Sequence, residues 1–344
     1  MKVLITGCAG FIGSHLAKHF LKKNVEVFGI DDLSRKGTQL NLDDLSVYDG
    51  FEFFKVDIRN NSDVEEVFKN HGEFELIIHE AGQVAVTTSV ADPRTDFEIN
   101  ALGTFNLLEA TRLYSPDAFF EFASTNKVYG KMDEVTVVEK DGRYMYEDLH
   151  NGVPETQNLD FHSPYGCSKG VADQYVRDYS RIYGLKTVVL RQSCIYGTHQ
   201  FGVEDQGWVA WFVIASILEK EITIYGDGMQ GRDLLWIDDL VDVYVALYEN
   251  ADSVSGEIYN VGGGANNILS LLELVETLKK DGVLAETPEF DDWRPGDQKI
   301  FVSDISKLKK DIGWEPKVDP SLGVEKLLNW CRENKNIIAS VINN

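Results

Sequence analysis

Three glycines at every third position, Gly7, Gly10 and Gly13, constrain this chain more than any other feature, because of what flanks them. Before them, Lys2-Val3-Leu4-Ile5-Thr6 is a short apolar run that reads as a buried strand. After them, Ser14 to Lys23 carries Leu16, Ala17, Phe20 and Leu21 at helical spacing. Strand, glycine turn and helix form the context of a dinucleotide-binding fingerprint. Backbone at Gly7, Gly10, Phe11, Ile12 and Gly13 can approach a pyrophosphate, and the helix start offers it free N–H groups. The spacing is G-x-x-G-x-x-G and not the G-x-G-x-x-G of typical dehydrogenases. The plainer reading is a glycine-rich turn with no ligand.

A second strand, Val25 to Ile30, ends in Asp31-Asp32. An acid about 20 residues past the glycines accepts hydrogen bonds from adenosine ribose hydroxyls and repels a 2′-phosphate, which favours NAD over NADP. Arg35 is the nearby residue that keeps NADP open. Without the glycine turn, Asp31 would read as an ordinary turn aspartate.

Strands continue to alternate with helices. Phe51–Asp57, Leu76–His79, Ala118–Ala123 and Thr187–Leu190 read as strands, and Asp92–Tyr114 and Pro164–Tyr183 as helices. That alternation predicts an α/β fold, a Rossmann-type, doubly wound parallel sheet. Beyond Arg191 the pattern loosens into a smaller C-terminal lobe. The expected division is 1–192 plus about 233–262 for the nucleotide-binding domain, and 193–232 plus 263–344 for a substrate-binding lobe. Residues 131–160 form a long polar stretch with eight acids, and connections of that length tend to be functional or mobile.

Composition removes several alternatives. The chain of 344 residues has 33 basic and 56 acidic residues, a net charge of −23, which argues against nucleic acid or anionic membrane as partner. An anionic ligand would need a locally positive site. Four cysteines (Cys8, Cys167, Cys194, Cys331) are scattered without C-x-x-C or Cys/His clustering, so neither a disulfide framework nor a metal site is expected. A strand starting at Lys2 leaves no room for a signal peptide, and no apolar run reaches membrane-spanning length, so a cytoplasmic location is expected.

The chemistry is expected in His162-Ser163-Pro164-Tyr165-Gly166-Cys167-Ser168-Lys169. Tyr165 and Lys169, four apart, share one helix face. An ammonium beside a phenol should lower the phenol pKa, and a tyrosine so poised can take a proton from a sugar hydroxyl as hydride leaves the same carbon. Such a pair also arises by chance in many helices. Ser124-Thr125 stands at a strand end, where the resemblance described next gives Thr125, with Ser124 beside it, the task of bonding the reacting oxygen and helping relay the proton; the alternative is a simple strand-end turn.

Together, Gly7/Gly10/Gly13, Asp31, Ser124-Thr125, Tyr165 and Lys169 resemble the extended short-chain dehydrogenase/reductase superfamily of nucleotide-sugar enzymes, nearly end to end. The resemblance implies bound NAD, with Lys169 on the nicotinamide ribose. It assigns Asp57 and Ile58 to the adenine, Ala81 and Gly82 to the loop passing the pyrophosphate, and Asn100 to the helix that follows. Arg232, in Gly231-Arg232-Asp233, and Arg294, in Arg294-Pro295-Gly296-Asp297, would grip the substrate diphosphate bidentately from glycine-bearing loops. Tyr225 would stack on the base, with core packing as the alternative. Gln206 and Trp208 would line the sugar or nucleotide pocket.

Asn126-Lys127 decides the branch. In sugar 4,6-dehydratases the residues after the threonine are Asp and Glu, the acid and base of water elimination, and neither Asn126 nor Lys127 can fill those roles. Asn126 and Lys127, here substrate-binding candidates, are similar to those of CDP-tyvelose (CDP-paratose) 2-epimerases, as are Gln83–Ser89, Phe161–Gly170, 204–212 and the insertion after Gly130. The expected partner is a CDP-linked sugar, the alternative a UDP-sugar 4-epimerase. A non-catalytic NAD-binding regulator is disfavoured because Tyr165, Lys169 and Thr125 are all present. The resemblance also implies a homodimer or homotetramer through the two helices 92–114 and 164–183, whose apolar coverage is wider than one buried face needs.

Overall fold

A computed structural model describes residues 1–202, 204, 206–294 and 297–343. The chain separates into two compact units, the first of 1–128, 161–191 and 241–259, the second of 129–160, 192–240 and 260–344.

The first unit is built on a seven-stranded sheet. Its strands are β1 (Lys2–Thr6), β2 (Glu26–Asp31), β3 (Phe51–Lys55), β4 (Leu76–His79), β5 (Phe119–Thr125), β6 (Lys186–Gln192) and β7 (Ile258–Val261). Their spatial order is β7-β6-β5-β4-β1-β2-β3, and the β1–β2, β1–β4, β2–β3 and β4–β5 ladders are parallel. Strands β4 and β5 are buried along their whole length. That burial explains their near-continuous apolar sequence, since a parallel sheet is covered on both faces. Phe120 and Phe122 point into one of those layers with Leu107, Leu108, Val176 and Tyr179. Each buried phenylalanine contributes about 1.5–3 kcal/mol relative to exposure. The strand order reverses between β1 and β4, and in such sheets ligands bind beyond the carboxyl ends at that point.

The expected helix 92–114 is interrupted. Pro93–Phe97 is α-helical, Glu98–Leu102 is a π-helical turn, and Gly103–Tyr114 resumes the α-helix. Close packing accompanies the change: a Cβ at Gly103 would stand 2.6 Å from Ile58 Cδ1. The helix Ser163–Tyr183 runs unbroken, with Pro164 in its first turn and Gly184 closing it at φ +72°.

In the second unit, Ile268–Ser270, Gly231–Trp236 and Ile300–Phe301 are neighbouring strands, and Cys194–Tyr196 pairs with the far half of Gly231–Trp236. The expected boundaries shift here. Residues 129–160 belong to this unit because Val153 N–H donates to Val302 O at 2.7 Å and Tyr129 Oη to Asn260 Oδ1 at 2.7 Å. Residues 233–240 belong to it as well, since Gly231–Trp236 is one continuous strand.

Candidate active site

The glycine turn is as tight as its sequence demands. Gly7 has φ +68°, and its N–H donates to Ile30 O at 2.7 Å. A Cβ at Gly13 would lie 2.1 Å from Gly7 O, and one at Gly7 would lie 2.8 Å from Ala81 N. Only glycine fits either place. Helix Phe11–Lys22 then starts without a side-chain cap, so the N–H groups of its first turn, Phe11 and Ile12 included, are offered to a ligand. This cradle suits a pyrophosphate.

Asp31, expected to face a ribose, is engaged within the chain. Its Oδ2 accepts from Ala9 N at 3.0 Å and its Oδ1 from Leu33 N at 2.8 Å, so the carboxylate ties the turn to the end of β2. Burial raises its pKa, and those two N–H groups oppose the rise. Asn41, which sequence reasoning missed, donates to Ala9 O at 3.0 Å from the opposite side. Asp57 is clasped by Arg59 Nε at 3.0 and 2.9 Å, and Ile58 is buried with its carbonyl accepting from Asn106 Nδ2 at 2.9 Å.

The loop after β4 is held by a buried relay. Thr6 Oγ1 and His79 Nδ1 lie 2.7 Å apart, His79 Nε2 and Thr104 Oγ1 2.9 Å, and Ala81 N donates to Thr6 Oγ1 at 3.2 Å. Burial, aided by the Lys169 charge, keeps His79 neutral. Asn100, within the π-turn, accepts from Gln83 N at 2.9 Å and donates to Ser168 Oγ at 3.1 Å, linking this loop to the helix of Tyr165 and Lys169. Ser168 in turn donates to Asp96 Oδ2 at 2.5 Å. A Cβ at Gly82 would meet Asn100 Oδ1 at 3.1 Å and Lys169 Nζ at 3.8 Å, so glycine leaves room beside the ammonium. His79, Asp96 and Ser168 are positioning residues to which the sequence alone assigned no role; His79 is marked by being polar at the end of an apolar strand, and Ser168 lies within the run that carries Tyr165 and Lys169.

Tyr165 is buried and hydrogen-bonded to Thr125. Its phenol does not have the expected lowered pKa. Burial pushes it up to about 12; Thr125 and Arg35 oppose this, while Asp96 and Glu80 reinforce it. Lys169 is not among the leading influences. Its ammonium lies over the Phe122 ring, 4.3 Å from the centroid. Burial pushes Lys169 down to about 8, against the pull of Glu80, Asp173 and Asp96.

Ser124 also departs from expectation. Its Oγ donates to Asp173 Oδ2 at 2.7 Å, and Asp173 is paired with Arg191 Nε at 2.9 Å, all three groups being buried. The hydroxyl is therefore committed to fastening β5 to the helix. Thr125 Oγ1 instead bonds Asn126 Oδ1 at 3.3 Å and accepts from Lys127 N at 3.3 Å. A Cβ at Gly166 would lie 3.1 Å from Lys127 O, so the Asn126-Lys127 turn abuts the start of the Tyr165 helix.

In the second unit, Arg232 lies in a strand and not in a loop, with Nη2 donating to Asp297 Oδ1 and Gln298 O, both at 2.8 Å. Arg294 places its guanidinium 3.8 Å from the Tyr225 ring centroid and pairs with Glu204, which also accepts from Tyr225 Oη at 2.8 Å. Tyr225 is thus stacked by Arg294 and is not core packing. Pro295 and Gly296 of that motif lie outside the described residues. Trp208 opens the helix Trp208–Ile217, edge-on to Phe212, and Gln206 lies two residues before it. Among the described residues, no cluster of three His, Cys, Asp or Glu is placed to hold a metal, and no helix is long and apolar enough to cross a membrane.

Comparisons with known proteins agree with this geometry. The chain is 44% identical to the CDP-paratose 2-epimerase of Salmonella typhi, over 96% of this chain and 99% of that protein. It is 31% identical to a putative UDP-glucose 4-epimerase of Methanocaldococcus jannaschii, over 96% of this chain and 99% of that protein. The solved UDP-glucose 4-epimerase of Thermotoga maritima, with UDP-glucose, superposes with a TM-score of 0.84 at 30% identity, covering 97% of this chain and 100% of that one. Residues 3–262 match the NAD dependent epimerase/dehydratase family, and the chain belongs to it.

Proposed function

We propose that this protein epimerises a nucleotide-activated sugar through a transient keto intermediate with bound NAD, acting at carbon-2 of a CDP-linked dideoxyhexose and converting CDP-paratose to CDP-tyvelose. The observation that carries the reading is Asn126-Lys127 directly after Thr125, itself bonded to buried Tyr165, where a dehydratase needs an acid and a base. The 44% identity to a CDP-paratose 2-epimerase supports the carbon and the base.

The glycine cradle, Asp31, Ala81-Gly82, Asn100 and Lys169 would hold NAD. When bound, NAD supplies a reversible hydride acceptor at the sugar carbon. Tyr165, as phenolate, would take the hydroxyl proton and later return it while Thr125 bonds the same oxygen, the positive charges of Lys169 and of bound nicotinamide offsetting the burial that otherwise holds the phenol up at about 12. Lys169, although burial lowers it to about 8, is mostly protonated at neutral pH and would donate to the nicotinamide ribose hydroxyls. Presentation of the other face of the ketone then inverts the carbon with no net redox change. Arg232 and Arg294 supply planar donors for the diphosphate.

Titration with CDP, UDP, GDP and dTDP, followed by turnover of CDP-paratose, tests this reading. The expected result is CDP preference with no lasting NADH absorbance. Stoichiometric NADH accumulation would mean a dehydrogenase. A UDP preference would favour the second reading, a UDP-sugar 4-epimerase, which the 31% relative and the Thermotoga structure support.

The assembly is read as an isologous dimer. Phe97, Leu102, Phe105 and Leu113 are exposed on one of the two helical segments singled out above, and Tyr175, Ile182 and Tyr183 on the other. All four cysteines are free, which suits a reducing compartment such as the cytoplasm.

A further inference from the structure

The 131–160 insertion is unexplained by the chemistry, and its middle is a β-hairpin. Val137–Lys140 pairs antiparallel with Arg143–Tyr146, in the register Val137↔Tyr146 and Lys140↔Arg143. The two-residue turn Asp141-Gly142 has φ +54° and +79°, the left-handed pair that matches strand twist in tight hairpins. This local rigidity gives the second strand a fixed face.

That strand holds the neighbours of Arg232 on three sides. Tyr144 N donates to Met229 O at 3.1 Å, and Tyr144 Oη donates to Asp227 Oδ2 at 2.5 Å, which ties down the turn just before Gly231. Tyr146, buried, donates from its Oη to Ile300 O at 3.1 Å. Ile300 is the register partner of Gly231, and Phe301 that of Arg232. The residues leading into that strand, Asp297 and Gln298, are the ones that receive the Arg232 guanidinium. From the same hairpin strand, Arg143 Nη1 donates at 3.0 Å to Ile268 O, on the strand that flanks Gly231–Trp236 on its other side, and Nη2 pairs at 2.8 Å with Glu273, the residue that completes the capping box of the next helix.

The geometry points to the hairpin as a positioning clamp: Tyr144 and Tyr146 set the place and direction of the Arg232 guanidinium, and so the affinity for the nucleoside diphosphate part of the substrate. This rests on the reading of Arg232 as the diphosphate grip. Neither tyrosine need touch the ligand. A guanidinium that binds phosphate bidentately depends on angle as well as distance, so releasing either tether costs affinity without altering the reacting centre.

The test uses the full chain, with CDP and NAD as calorimetric probes and CDP-paratose as substrate. Tyr144→Phe and Tyr146→Phe each remove one hydrogen bond and keep the ring. Each is expected to raise the CDP Kd and the substrate KM together by about 3–10-fold, the usual worth of one such bond, with kcat and NAD affinity kept. In an Arg232→Lys background the same substitutions should add nothing, because the group they position is gone. Should Tyr146→Phe fold poorly, the change Arg143→Gln at half-buried Arg143, tested the same way, carries the comparison with Tyr144→Phe. Unchanged CDP affinity in the tyrosine variants, or full additivity with Arg232→Lys, would overturn the clamp while leaving the proposed function intact. If the unaltered protein bound no nucleoside diphosphate, the functional reading would fall first and the clamp with it.

Discussion

Ser124 Oγ donates to Asp173 Oδ2 at 2.7 Å, inside the ion pair that Asp173 forms with Arg191. Adjacent Thr125 bonds Tyr165 instead. Two neighbouring hydroxyls at one strand end thus have different partners, one a buried ion pair and the other the Tyr165 phenol. Ser124→Ala should lower stability by about 1–3 kcal/mol, the cost of leaving a buried acceptor short, with turnover little changed. Tyr165→Phe should cut turnover by about 10²–10⁴ while NAD stays bound. Thermal unfolding and steady-state kinetics on both variants check the contrast; a large kcat loss in Ser124→Ala would return that residue to the proton relay.

The Tyr165 phenol sits at about 12 in the protein, held down only in part by Thr125. Spectroscopic titration of protein freed of NAD should therefore show no Tyr165 phenolate at pH values near 10, the ordinary value for the group. Thr125→Val removes the stabilising donor and should move the ionisation higher still. A phenolate signal close to neutrality in NAD-free protein would contradict the dominance of burial.

Glu121 on β5 is fully buried, and among the described residues neither carboxyl oxygen has a hydrogen-bond partner. Burial, reinforced by nearby Glu80, raises its pKa well above the ordinary 4.5. Because the folded value lies above the unfolded one, the stability tied to the neutral acid is fully present below about pH 4.5 and is lost as pH rises through the folded value. Glu121→Leu should therefore raise the Tm, by more at pH 8 than at pH 5. Denaturation scans at the two pH values check it, and a gain larger at pH 5 would refute the assignment.

Gly13→Ala places a methyl 2.1 Å from Gly7 O, backbone against backbone. The turn must open to accept it, at about 1–3 kcal/mol. NAD affinity should fall by about tenfold or more, read by fluorescence titration with NADH, while CDP affinity holds.

Phe105 and Tyr175, on the two exposed helical faces, meet edge-on with ring centroids 5.8 Å apart. Phe105→Glu puts a charge at the centre of that surface and should convert a dimer to the 38.7 kDa monomer in sedimentation. A wild-type protein that is monomeric and fully active at micromolar concentration would remove the dimer as a requirement.

Local sequence was enough for whatever depends on near neighbours. The β1 turn and its helix were legible because glycine spacing and apolar periodicity act within about 20 residues. Tyr165 and Lys169 lie on one unbroken helix, as their spacing required. Tertiary structure decided the rest. Lys169 turns to Phe122, and burial outweighs charge at Tyr165, because both depend on what β5 brings from 40 or more residues upstream. Ser124 finds Asp173 across 49 residues, and Tyr146 finds Ile300 across 154. No periodicity encodes such partners, since hydrogen bonds between distant segments are chosen by how the layers pack. The polar insertion read only as functional or mobile for the same reason: its anchors, Asp227 and Ile300, lie more than 80 residues further along the chain.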